Sequence, residues 1–141
     1  MPAATTHTAT TRDTVPAERR RPPATVLATV ALTVLVTLFG GYGAIYFTGL
    51  EGFTDMGLTF LVAYEGIVLF GLVSAVALLR GSPLGRAGVI SFALWLTAFN
   101  IFKVGYIREW EAISFGVVGL AIVGLALTSG VRRHVDRDAA F

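Results

Sequence analysis

Cysteine is absent from the 141 residues. That excludes disulfides, thiol chemistry and thiolate-held iron–sulfur clusters. Histidine is nearly absent: His7 and His134 are the two present, and both lie in polar end segments. No imidazole is therefore placed for a buried haem or zinc site. Charge is scarce as well, at 14% of residues, against roughly 25% in a soluble domain. The few charges gather at the ends and in short connectors, the distribution expected where lipid is the solvent. A nucleophile with its base is also missing. Ser74, Ser91, Thr97 and Ser114 stand in apolar runs, with no histidine or second carboxylate beside them. They read as hydrogen-bonding groups within or between helices. No catalytic residue, cofactor ligand or metal ligand is assigned, and no enzymatic role is expected.

What is present is hydrophobic residue, 55% of the chain, in four long runs. The spans expected are 24–48, 56–79, 87–107 and 112–131, each near the length that crosses about 30 Å of hydrocarbon. Residues 1–23, rich in Thr, Ala, Pro and Arg, read as a disordered tail ending in Arg19-Arg20-Arg21-Pro22-Pro23. A cleaved signal peptide would carry an apolar region of about 7–15 residues. The run from Ala24 is longer and reads as a retained first helix, which also argues against a twin-arginine export signal. Arg80 to Arg86 contains Gly, Ser and Pro and reads as a turn, and residues 132–141 as a second polar tail. Connectors this short make neighbouring helices antiparallel. The fold class expected is an all-α integral membrane protein, an antiparallel four-helix bundle.

The net charge of +2 is better explained by orientation than by nucleic acid. Arg12, Arg19, Arg20, Arg21, Arg80, Arg86, Arg132, Arg133 and Arg137 fall on one side of a four-span arrangement. Glu51, Asp55, Glu109 and Glu111 fall on the other, with Arg108 as its loop cation. Excess Lys and Arg mark the cytoplasmic side, so both termini are expected inside the cell. Tyr42, Tyr46, Tyr106 and Trp110 then stand near the outer interface, where amphipathic rings are favoured. The arginines can also attract anionic lipid. Glu109 and Glu111 read as a solvated connector, with cation gathering the alternative.

Two ionisable residues, Glu65 and Lys103, fall inside the expected spans. A charge at bilayer depth costs on the order of 2.5–3.5 kcal/mol on the mildest scale, so such residues turn inward and find partners. Asn100 comes out at a depth similar to that of Glu65, and Lys103 shares a helix face with Asn100. Glu65, Asn100, Lys103 and Tyr64 form the candidate buried polar cluster, with Tyr42 or Tyr46 at its border. One reading is a pocket in which Glu65 accepts a proton or cation under the influence of Lys103. The other is a buried pair that fixes helix register, or a Lys103 that reaches out to the headgroups. Gly40-Gly41-Tyr42-Gly43, Gly66, Gly71, Gly116, Gly119 and Gly124 read as packing positions. A helix break at Gly40–Gly43 is the alternative.

The stretch Ala63-Tyr64-Glu65-Gly66-Ile67-Val68-Leu69-Phe70-Gly71, through to Arg86-Ala87-Gly88, resembles the DoxX-like group of small four-helix membrane proteins. In that group a glutamate opens the second span and a short Pro/Gly turn leads to a small-residue-rich third. The family's Gly-x-x-Lys ending of the first helix is here Gly43-Ala44-Ile45-Tyr46. The resemblance implies an accessory protein or subunit of a membrane redox assembly and identifies no catalytic residue. The small multidrug-resistance transporters are similar in length and helix number, but their glutamate lies on the first helix. The function expected is an accessory or structural subunit of a larger membrane complex. The alternative is a small oligomeric proton-coupled transporter or channel using Glu65. Partners expected are the lipid bilayer and other membrane subunits or further copies of the chain.

Overall fold

A computed structural model describes residues 21–138. Among them every regular element is helical: α1 (Ala24–Glu51), α2 (Asp55–Leu79), α3 (Pro83–Phe102), a π-helical turn (Lys103–Ile107), α4 (Ala112–Ala126) and α5 (Ser129–Asp138). Three helices are long and apolar enough to cross a membrane, and a fourth crossing is available if α4 and α5 count as one bent span. The polar tail expected over 1–23 lies outside the described residues except for 21–23, which lead extended into Pro23.

The boundaries follow local chemistry. Gly81 (φ 78°) ends α2. Its N–H and that of Ser82 close back on the carbonyls of Leu78 and Ala77, at 2.9 and 3.0 Å, a glycine-dependent C-terminal cap. Ser82 then accepts the Gly85 N–H at 3.4 Å, and Pro83 occupies the first turn of α3. The turn expected over Arg80–Arg86 is thereby compressed into residues 80–82, and α3 starts four residues before its expected span. α1 runs unbroken through Gly40–Gly43, so the break weighed there is not found; Gly41 packs on Val68 of α2, while Gly43 faces open space.

The last span differs most from expectation. The helix stops at Ala126 and resumes as α5 after a bend of 55°. Arg86 Nε donates to the Ala126 carbonyl at 2.9 Å, and Thr128 Oγ1 donates to that of Leu125 at 2.7 Å. These two bonds satisfy carbonyls that a continuing helix would have used. α5 then extends through the expected tail as an amphipathic helix. Val131 and Val135 are buried, while Arg132, Arg133 and Arg137 face outward.

The helices close a ring in which α1 meets α2, α2 meets α3, α3 meets α4 and α4 meets α1, with α5 against the start of α1. The core holds Val26, Val36, Leu78, Val89, Phe92, Leu96, Ile122 and Val131. Buried threonines accompany it. Thr29, Thr33 and Thr37 recur every fourth residue on one face of α1. Each donates to the carbonyl four residues earlier, at 2.8 Å or less.

Opposite the buried hydroxyls stand glycines. A Cβ on Gly71 would lie 2.7 Å from Thr37 Oγ1, and one on Gly119 would collide with Thr97 Oγ1 and sit 3.0 Å from the Ala93 carbonyl. Gly124, by contrast, faces open space. Gly119→Leu is therefore expected to lower unfolding free energy by about 1–3 kcal/mol through overpacking, and Gly124→Leu by under about 0.5 kcal/mol. Thermal unfolding of both variants in detergent checks this, and equal losses would contradict the packing described.

Candidate functional site

A cavity of about 180 Å³ opens among α1, α2, α3 and α4. Its wall is largely aromatic. Trp95 and Phe99, one helical turn apart on α3, stack at 5.1 Å with planes 9° apart, and Tyr64 of α2 meets the Phe99 ring edge-on at 6.2 Å. Phe39 of α1 and Phe115 of α4 close the opposite side at 6.2 Å. Gly40 and Gly43 of α1 keep the remaining wall low.

Asn100 and Lys103 form the polar end. Asn100 is 5% exposed. Its Nδ2 donates to the Leu96 carbonyl at 2.8 Å, which orients the amide and leaves Oδ1 without a protein partner among the described residues. Lys103, the one lysine of the chain, places Nζ 5.9 Å from the centre of the Phe99 ring, within cation–π range.

The π-helical turn sets this geometry. It begins at Lys103 and ends at Arg108, which adopts a left-handed backbone (φ 59°). The turn aims two consecutive N–H groups, those of Arg108 and Glu109, at the Lys103 carbonyl. Glu109 is brought back over the same residue, and its Oε1 meets Lys103 Nζ at 2.7 Å. Turns of this kind occur often at functional sites.

The four residues of the expected polar cluster are thus divided. Tyr64, Asn100 and Lys103 line one cavity. Glu65 is half-buried and is not part of this lining; its Oε1 lies 4.0 Å from where a Cβ on Gly41 of α1 would stand. The partner of Lys103 is Glu109, read from sequence as part of a solvated connector. Tyr42, Tyr46 and Tyr106 are exposed and lie away from the cavity lining. Sequence reasoning missed Trp95 and the threonine face of α1. The four-residue spacing of Thr25, Thr29, Thr33 and Thr37 was the available signal for the last.

Together these features describe a helical protein with three helices, or four with the bent pair, able to cross a membrane, around an aromatic cavity with one polar end. No known family model, curated protein or solved structure matches the chain.

The ion pair joins an 18% exposed lysine side chain to a 38% exposed glutamate. Glu109→Gln is expected to cost no more than about 1 kcal/mol. A double-mutant cycle with Lys103→Met should give a small positive coupling that shrinks as salt is raised. Zero coupling at low salt would contradict the pair.

Proposed function

We propose that the chain is a multi-pass membrane protein acting as a non-catalytic accessory subunit of a larger membrane complex. In this reading the helices form an antiparallel four-span bundle with both termini in the cytoplasm. The observation that carries it is how little described chain stands outside the helices. Residues 52–54, 80–82, 108–111 and 127–128 are the connectors, so contacts that convey function must be made within or beside the bilayer.

The basic end supports the orientation. Arg80, Arg86, Arg132, Arg133 and Arg137 share it under the four-span reading. α4 alone rises about 22 Å, short of about 30 Å of hydrocarbon, so Leu127 to Val131 complete the crossing. The rest of α5 then lies at the headgroups with its arginines toward phosphate. The resemblance to DoxX-like proteins makes a redox assembly the first kind of complex to test.

A second reading has its own observation. Among the described residues Glu65 has no ion-pair or hydrogen-bond partner, and it stands at the α1–α2 seam. A carboxyl there suits a proton-coupled transporter, and Glu65→Gln should then abolish flux in vesicles while leaving insertion intact.

Affinity purification from the native membrane, followed by native mass measurement, tests the first reading. A stoichiometric membrane partner surviving stringent washing is expected. A homo-oligomer alone would overturn the accessory role. The cysteine-free background permits a topology test with Phe53→Cys and Leu84→Cys, both at highly exposed positions. An impermeant thiol reagent applied to intact cells should label the first and spare the second; the reverse pattern would invert the orientation.

A further inference from the structure

We infer that the aromatic cavity binds a neutral, hydroxylated single-ring molecule of the phenol class. This goes beyond the accessory role and does not rest on it.

Volume sets the size. A dry cavity of about 150 Å³ accommodates benzene, so about 180 Å³ holds one six-membered ring with a small substituent. The walls set the shape: the Trp95–Phe99 stack and the Phe39 and Phe115 rings offer flat faces and edges to a flat guest.

The polar end sets the chemistry. Asn100 is 5% exposed, its Nδ2 is held by the Leu96 carbonyl, and its Oδ1 is not sealed off among the buried groups, so it is an accessible acceptor for a donor. Lys103 Nζ has three N–H groups and gives one to Glu109 Oε1, leaving donors for a guest oxygen. One hydroxyl satisfies both, donating to Asn100 Oδ1 and accepting from Lys103 Nζ.

Charge narrows the class further. Glu109 neutralises Lys103 and would repel a carboxylate guest, while Lys103 would repel an ammonium. A neutral guest meets neither penalty. A plain hydrocarbon or a lipid acyl chain would cover the Asn100 acceptor without bonding to it. Phe39, Phe47 and Trp95 line the cavity and are also exposed on the outside of the helices, which gives apolar molecules an entrance.

The experiment uses the full chain in lipid nanodiscs with Trp110→Phe, so that Trp95 is the single tryptophan reporter. 4-Ethylphenol and ethylbenzene are titrated as probes while Trp95 fluorescence and the unfolding temperature are followed. Saturable binding of 4-ethylphenol is expected. Asn100→Leu should weaken it by about tenfold, the effect of losing one buried hydrogen bond, and leave ethylbenzene unchanged. Gly43→Phe should abolish binding by filling the cavity. A Cβ at Gly43 meets nothing within 4 Å, so this variant keeps the helix packing. Two results would overturn the inference: equal affinity of the two probes in the Trp110→Phe parent, or a 4-ethylphenol response that survives Gly43→Phe unchanged. The first would make the cavity an apolar slot for lipid chains, and the second would place the response in the surrounding bilayer.

Discussion

Close contact between a buried hydroxyl and a glycine on the neighbouring helix organises this molecule. The pairing recurs at four seams: Thr37 with Gly71, Ser74 with Gly88, Thr97 with Gly119, Thr25 with Gly130. In lipid, apolar side chains gain little by meeting one another, and association depends on how closely backbones approach. A glycine supplies the hollow. Thr37 and Thr97 fill it with groups whose hydroxyls are already bonded to the carbonyl one turn back, whereas Thr25 Oγ1 is buried without a hydrogen-bond partner among the described residues.

That arrangement also locates the cavity. Where α1 carries Thr37, α2 comes close at Gly71. Where it carries Gly40 and Gly43, with no hydroxyl opposite a glycine, the wall recedes and the aromatic side chains of α3 and α4 surround a void. The π-helical turn beyond α3 sits at the end of this void and holds Lys103 at its rim. Packing and site are consequences of one pattern of small residues along α1.

The helical class and the three long apolar helices were legible because runs of apolar residues dominate the chain and Gly81, Ser82 and Pro83 punctuate them. The break after Ala126 was not. No proline marks it, and one of its causes, the Arg86 guanidinium on the Ala126 carbonyl, is separated from it by 40 residues. Asn100 and Lys103 were readable as a pair from their spacing, and Tyr64 was included as a neighbour of Glu65. Glu65 was assigned to the same cluster by depth alone, which cannot tell which face of a helix a residue occupies. Glu109 escaped because its reach to Lys103 depends on a left-handed residue at Arg108, a conformation that arginine does not advertise.

The packing of α5 against the start of α1 joins two described helices that are far apart in the order of synthesis. The contact between α1 and α5 therefore forms only after α2, α3 and α4 have been made, and α1, apolar enough to enter a bilayer, precedes its partners. Hydroxyls that depended on a neighbour would be stranded in hydrocarbon during that interval. Those of Thr29, Thr33 and Thr37 are already satisfied within α1, which equips the first helix to reside alone until its partners arrive.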